Sequence, residues 1–184
     1  NILMNIQQPA LYETNHIKPV DFLKENFYRK TDNRRGDRMS GKGLYDIHCH
    51  IVPGVDDGAT DIEETRKLLQ MEYDQGVRTI IATPHFRFRM FETPVERVKQ
   101  QFQMVEKAAA EIAPDLQVYS GCEFHANMEM LPMLREQRVM TMAGSRYVLT
   151  EFSHNSEENY ILERLNALLS GGYKPIVAHI ERYE

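Results

Sequence analysis

The feature that most constrains this fold is the regular alternation of strand-like and helix-like segments that begins at Leu44. Runs of β-branched residues such as "VRTIIA" alternate with amphipathic stretches, and the strands recur at intervals of roughly 30–38 residues. This spacing predicts βα units and a parallel sheet. Neither G-x-G-x-x-G nor a Walker motif is present, which favours a barrel over a nucleotide-binding doubly wound sheet. Five strands are predicted, over the ranges 44–50, 77–85, 116–124, 145–152 and 174–183.

Capping patterns indicate where the helices between these strands begin. Thr60 opens one capping box, and the helix behind it is predicted to reach about residue 75. Thr93 opens a second box with proline at the first helical position, and this helix is predicted to reach about residue 113. A broken, Met-rich helix is predicted over 127–137, and a further helix over 157–170.

The segment that precedes the first predicted strand does not share this alternation. It contains "YRKTDNRRGDRMSGKG", which is polar, basic and without periodicity, as is typical of a linker or of disorder. We therefore predict that residues 1–43 are a disordered or non-domain leader and that residues 44–184 form one domain. Across the 184 residues, 42% hydrophobic and 27% charged content is ordinary for a soluble globular protein.

Charge and hydropathy argue against several classes of protein. A net charge of −5 argues against a nucleic-acid-binding surface. No apolar run approaches the roughly 20 residues needed to span a bilayer, so no membrane insertion is expected. The two cysteines do not indicate a disulfide framework, and a reducing cytoplasmic location is therefore the expectation.

The cysteines also argue against covalent phosphatase chemistry. A thiol phosphatase needs an arginine six residues after its nucleophile, but Val55 and Met128 stand at that distance from Cys49 and Cys122. Both cysteines are predicted to be small buried spacers. No G-x-S-x-G elbow occurs, which argues against a serine hydrolase.

Metal-binding residue types occupy the carboxyl-terminal end of every predicted strand. In a parallel barrel these ends converge on one face, where active sites are built. His48 and His50, two apart on a strand, point the same way and can bind one ion together, while Asp57 follows just past the turn. Imidazoles combined with carboxylates suit Mn, Fe or Zn. The strand-end residues are His48, His50, His85, Glu123, Glu151 and His179.

Other polar residues near these strand ends are given a structural interpretation. Asp56 is predicted to be a turn residue, with the neighbouring aspartate the better ligand candidate. Three histidines fall outside the strand-end pattern and are predicted to be structural: His16, His125 and His154.

Five short motifs together resemble a known superfamily. They are "DIHCHIVPGVDDG", "TPH", "GCEFH", "LTEF" and "AHIERY". Their combination closely resembles the PHP superfamily, named for polymerase and histidinol phosphatase. Within it, the chain is similar to the capsule-associated bacterial protein-tyrosine phosphatases of the CpsB/CapC family. The resemblance extends from about Tyr45 to the end of the sequence.

This resemblance implies a fold and a set of site residues. The fold would be an α/β, TIM-like (β/α)7 barrel of the PHP type, C-terminally truncated in this chain. The family has a further Asp-x-His pair on a late strand, which this sequence does not reach. Arg182 matches the arginine that holds the substrate phosphate. The implied metal ligands are His48, His50, Asp57, His85, Glu123, Glu151 and His179.

The resemblance also implies a metal-dependent protein-tyrosine phosphatase. About two or three divalent ions, Mn by resemblance with Fe or Zn as alternatives, would activate a water that attacks phosphorus directly. The implied partner is the phosphotyrosine tail of a bacterial tyrosine kinase that controls capsule or exopolysaccharide synthesis. Two alternatives stay open: a small-molecule phosphatase such as histidinol phosphatase, and a metal-binding module without turnover. Oligomeric state also stays open.

Overall fold

A computed structural model of the chain describes residues 3–4 and 43–183. Strands and helices alternate through the second of these ranges, so the predicted α/β class is confirmed. The strands are β1 Leu3–Met4, β2 Leu44–Cys49, β3 Val77–Ala82, β4 His85–Phe86, β5 Gln117–Ser120, β6 Glu123–His125, β7 Tyr147–Glu151 and β8 Lys174–Val177. The α-helices are α1 Ile62–Asp74, α2 Val95–Ile112, α3 Met130–Arg135 and α4 Glu158–Ser170, and 3₁₀ turns cover Met142–Gly144 and Ile180–Arg182.

The strands form two four-stranded sheets, in the orders β1-β2-β3-β5 and β4-β6-β7-β8, in which every pair after β1-β2 is parallel. The two sheets are continuous because β3 leads into β4 and β5 into β6. Gly121 N–H donates to the Ala82 carbonyl at 2.7 Å, and Glu123 N–H donates to the Pro84 carbonyl at 3.0 Å. Five parallel chain segments therefore lie side by side, as the sequence predicted.

Three of the predicted strands are shorter or more broken than expected. The second and third are each interrupted just before a candidate ligand, at Pro84 and at Gly121–Cys122. Proline has no N–H to donate to a strand ladder, which explains the first interruption. The fifth strand ends at Val177, and the chain then enters a 3₁₀ turn through His179, whose φ of 53° is left-handed. His179 therefore lies beyond its strand rather than within it.

The leader contributes one described element. Leu3 and Met4 form β1, which pairs antiparallel with β2 through the partners Leu3–Asp46 and Met4–Tyr45. Most of the leader, including His16, lies outside the described residues. Its assignment as a disordered or non-domain segment stays a prediction.

The starts of the first two helices differ from the predicted capping boxes. Helix α1 is capped by Asp61, whose carboxylate accepts from Glu64 N–H at 2.9 Å, while the Glu64 carboxylate accepts from Thr60 N–H at 2.9 Å. The box is thus displaced by one residue from the predicted Thr60–Glu63 pair. The second predicted box is wrong, because Thr93 donates its hydroxyl to the Val55 carbonyl at 2.8 Å instead of capping α2.

The hydrophobic core covers both faces of the continuous sheet. Leu69 of α1 and Val105 of α2 are fully buried against β2 and β3, and Leu168 of α4 is buried with Phe124. Burying one such side chain contributes about 1.5–3 kcal/mol. A third cluster, which includes Ile81 and lies between β3, β7 and the end of β8, packs without any α-helix residue. Among the helices in the described part of the chain, none is long and apolar enough to cross a membrane.

Candidate metal centre

Glu123 stands at the centre of the candidate site. It is the first residue of β6, it pairs in register with His85 of β4, and it is fully buried. Four imidazoles from three other chain segments surround its carboxylate. The nitrogen–oxygen distances are 2.8 Å from His48 Nε2, 3.0 Å from His50 Nε2, 3.4 Å from His85 Nδ1 and 3.1 Å from His179 Nε2.

These contacts fit a metal centre better than a hydrogen-bonded cluster. Both Glu123 oxygens, Oε2 of Glu151 and Nδ1 of His85 are buried without a hydrogen-bond partner of proper geometry in the described part of the chain. Buried polar atoms are nearly always satisfied, so several orphaned atoms that converge on one point need an explanation. Three overlapping groups offer ligand atoms within 4.8 Å of one another: His48–His50–Glu123, His50–Asp57–His85 and His85–Glu123–Glu151. The donor set therefore fits borderline or hard divalent cations.

The outer edge of the site is built from Asp57, His85 and Glu151. His85 reaches both carboxylates, with 3.8 Å from its Nε2 to Asp57 Oδ1 and 3.8 Å from its Nδ1 to Glu151 Oε2. The Asp57 side chain is 64% exposed, whereas that of Glu151 is 14% exposed. The imidazole thus joins a buried group of ligand atoms to one that faces solvent.

Asp56 contacts two candidate ligands, which the sequence analysis missed. Its side chain is buried, and Oδ2 lies 2.8 Å from His50 Nδ1 while accepting the His85 backbone N–H at 2.8 Å. Its other oxygen accepts Gly58 N–H at 3.0 Å. A carboxylate on one imidazole nitrogen fixes the tautomer and leaves the other nitrogen free for a metal. Asp56 therefore orients His50 so that Nε2 faces Glu123. The prediction of a plain turn residue was incomplete, because neither hydrogen-bonded histidine can be inferred from local spacing.

The turn that carries Asp56 fits only because of glycine. Gly58 passes so close to His50 that a Cβ atom would lie 2.2 Å from the His50 carbonyl oxygen and 2.4 Å from its Cβ. Ala59 N–H donates to that same carbonyl at 2.9 Å, which folds the loop back over the histidine. The loop after β2 thus packs against His50 and restricts its position.

The charges of the site are strongly coupled. Burial alone would raise the pKa of Glu123, but the imidazoles of His48 and His50 hold it well below its usual range. Burial opposes protonation of His50, yet contacts with Asp56 and Glu123 raise the pKa of His50 to about 9. Burial and the charge of Glu123 together raise the pKa of Glu151. Without a cation, the centre therefore retains a proton on His50 at neutral pH.

Arg182 lies at the border of this centre, at the end of the 3₁₀ turn after His179. Its side chain is 53% exposed and its Nε lies 3.9 Å from Glu181 Oε1. Its positive charge acts to lower the pKa of both Glu151 and His179, although burial is the larger influence on each. The arginine thus acts electrostatically on two candidate ligands and remains accessible to solvent.

The two cysteines are buried, as the sequence predicted. Cys49 is 2% exposed and packs with the helices on the outer face, and Cys122 is 5% exposed. Burial raises the pKa of both thiols well above the usual range. Neither is available as a thiolate nucleophile.

Residues 44–184 match the sequence model of the family described as "Capsular polysaccharide synthesis, CpsB/CapC". The chain belongs to the CpsB/CapC family. Its motifs had indicated this resemblance, which the match confirms. The CpsB/CapC match begins at the first residue of β2 and includes every candidate ligand.

Named CpsB/CapC relatives support the same relationship. The chain is 43% identical over 141 residues to tyrosine-protein phosphatase CpsB of Streptococcus pneumoniae, covering 77% of this chain and 58% of that protein. It is 31% identical over 139 residues to tyrosine-protein phosphatase YwqE of Bacillus subtilis, covering 76% of this chain and 55% of that protein. The chain therefore spans a little more than half the length of these relatives.

A solved structure extends the relationship to the fold. The match is to the crystal structures of YwqE from Bacillus subtilis and CpsB from Streptococcus pneumoniae, described as unique metal-dependent tyrosine phosphatases. The TM-score is 0.69 at 31% identity, covering 76% of this chain and 56% of the solved chain. The α/β architecture of this chain is thus similar to that of a CpsB/CapC phosphatase.

Proposed function

We propose that this protein is a metal-dependent phosphatase that hydrolyses phosphotyrosine in proteins. The observation that carries the proposal is the convergence of four imidazoles on the buried Glu123 carboxylate, whose oxygens have no properly oriented hydrogen-bond partner in the described residues. CpsB and YwqE, named as tyrosine phosphatases, support the choice of substrate.

The proposed ligands divide between the buried and exposed parts of the site. Bound divalent ions, Mn in our proposal with Fe or Zn as alternatives, would supply Lewis acidity toward phosphoryl oxygens and toward a water molecule. Asp56 holds the His50 ring so that Nε2 faces the centre. The proposed ligands are His48, His50, Asp57, His85, Glu123, Glu151 and His179.

The proposed role of Arg182 is to hold the substrate phosphoryl group. A guanidinium presents donors in a planar fork that matches phosphate oxygens, and it stays charged at every physiological pH. Its exposure leaves it free to meet an incoming anion, and among the described residues the neighbouring Glu181 carboxylate lies at the long distance of 3.9 Å. Attack by water then needs no covalent intermediate, which agrees with the burial of both cysteines.

We further propose a (β/α)7 barrel and a capsule-related partner. Within the described residues, β8 pairs on one side only, and α4 buries just Leu168 completely, so both have surface left for a further βα unit.

The family description supports capsular polysaccharide synthesis as the setting. The proposed substrate is the phosphotyrosine tail of a bacterial tyrosine kinase in that pathway.

Phosphate release from two substrates tests the proposed function. With Mn²⁺, we expect hydrolysis of a phosphotyrosine peptide, little release from histidinol phosphate, and loss of at least about 100-fold in rate after chelation with EDTA. Cys122→Ala is the control and should keep its rate, because the buried thiol takes no part in the reaction. Faster release from histidinol phosphate would favour the small-molecule phosphatase. Metal binding with no release from any substrate would favour a module without turnover.

Metal affinity should rise with pH. A metal ion needs neutral imidazole, and His50, with a pKa of about 9, holds a proton at neutral pH that the ion must displace. The apparent Mn²⁺ affinity should therefore rise about tenfold per pH unit, roughly between pH 6.5 and 8.5. Calorimetry in two buffers of different ionisation enthalpy should detect about one proton released per ion. A flat affinity over this range would contradict the assignment of His50 as a ligand.

A further inference from the structure

Three side chains stand two residues beyond candidate ligands on three neighbouring segments. Arg87 follows His85, His125 follows Glu123, and Ser153 follows Glu151. The segments are adjacent, because β4 pairs with β6 and β6 pairs with β7. Residues two apart on extended chain point to the same face, so each of the three follows its ligand onto the site face. We call Arg87, His125 and Ser153 the donor row.

The members of the donor row lie close together. His125 Nε2 is 3.2 Å from Ser153 Oγ, and His125 pairs in register with Glu151. The charge of Arg87 adds to burial in lowering the pKa of His125, and it also acts on Glu151. All three side chains are half-buried, so they form part of the wall of the site and remain in contact with solvent.

Arg87 is the cation of this row. Its backbone is fixed by a tight hairpin, in which Arg87 N–H donates to the Phe91 carbonyl and Phe91 N–H donates to the Arg87 carbonyl, each at 2.8 Å. Within residues 43–183, no carboxylate lies at ion-pair distance from its guanidinium. A half-buried guanidinium without an acidic partner, beside a hydroxyl and an imidazole, suits an oxygen-bearing anion.

The distance of the donor row from the candidate ligands indicates which part of a bound substrate the row would contact. Two residues along a strand span about 6.6 Å, whereas metal–ligand bonds are only about 2.0–2.3 Å long. The donor row therefore lies farther along the strands than a phosphoryl group bound at the candidate ligands. At that distance it would face the aryl ring of the phosphotyrosine and the peptide groups next to the ring. Phe91 provides an aromatic surface there, since its ring stacks on His85 at 5.4 Å with an interplanar angle of 11°.

We propose that the donor row is a specificity site that binds a second anionic group, carboxylate or phosphate, on the peptide that carries the phosphotyrosine. The inference rests on the proposed phosphatase function and adds a preference among its substrates. Arg87 supplies the charge, while His125 and Ser153 limit where the anion can sit. These are positioning residues, and they act on substrate affinity rather than on the hydrolytic step.

Binding of three peptides to the Mn²⁺-loaded protein tests this proposal. Each peptide carries a non-hydrolysable phosphonate in place of phosphotyrosine, flanked by neutral residues, by glutamates, or by a second phosphotyrosine. In the wild type, fluorescence anisotropy should show tighter binding of both anionic peptides. Arg87→Gln should weaken these two about tenfold and change the neutral peptide less than about twofold. Arg87→Lys should recover part of the loss, because it keeps the charge.

The charge-matched control is Arg89→Gln in the same hairpin. Arg89 is exposed, and its guanidinium lies 5.5 Å from the Phe88 ring centroid. Equal losses in the Arg87 and Arg89 variants would show general electrostatic attraction and overturn the proposal, as would equal binding of all three peptides by the wild type. A loss confined to one anionic peptide would identify carboxylate or phosphate as the preferred group. If the wild type binds none of the peptides, the phosphotyrosine function itself fails, and the inference fails with it.

Discussion

Glu123→Gln should remove metal binding and the proposed phosphatase activity together. The carboxylate has four imidazole nitrogens within 3.4 Å, and it is the one carboxylate common to two of the three ligand sets. An amide of nearly the same size keeps the volume but loses the negative charge that compensates a cation. Replacing groups that hydrogen-bond to metal ligands costs about 10–100-fold in metal affinity or activity, so loss of this proposed central ligand should cost at least about 100-fold in metal affinity and in kcat/KM.

The matched control for this variant is Glu157→Gln, at an exposed position before α4. It should retain wild-type metal content by elemental analysis and wild-type phosphate release. Circular dichroism should report the same helix content for both variants, since the amide fills the space of the carboxylate. Wild-type Mn²⁺ content in Glu123→Gln would contradict the assignment of the metal centre.

Asp56→Ala should lower both the stability and the metal affinity of the protein. The change leaves the N–H groups of His85 and Gly58 and the Nδ1 of His50 without their acceptor. Removing one partner from such a buried charged network costs about 3–5 kcal/mol in free energy of unfolding. The freed imidazole also loses its fixed orientation, which should lower Mn²⁺ affinity by about 10–100-fold.

A conservative variant separates these two effects. Asp56→Asn keeps an acceptor oxygen for one of the backbone N–H groups, so it should lose metal affinity with a smaller loss of stability. Asp74→Ala, which removes only an exposed hydrogen bond with Gln70, is the control and should unfold close to wild type. The measurements are urea denaturation of the metal-free proteins and Mn²⁺ titration. An Asp56→Ala protein with unchanged metal affinity would show that Asp56 does not orient His50.

Local sequence patterns predicted which helices form better than they predicted the residues at which those helices begin. The helix after β2 was expected to start from Thr60, but the neighbouring Asp61 is the cap, because its carboxylate accepts the Glu64 N–H. Thr93 matched a capping box and instead bonds to Val55, 38 residues away in sequence. Such an acceptor is brought into reach only by the folded loop, so no local pattern can select between the two partners.

The sequence by itself determined the residue types at the site and their order on the strands. Parallel strands bring their carboxyl ends to one edge, so His48, His85 and Glu123 could be expected to meet. The tertiary structure decided which of them is central, because the distances across the site depend on register, on the interruptions before β4 and β6, and on the left-handed turn at His179. It also decided the role of Asp56. A carboxylate in a turn looks the same in sequence whether it faces water or a histidine, and only the packing of the loop against His50 and β4 buries it beside both.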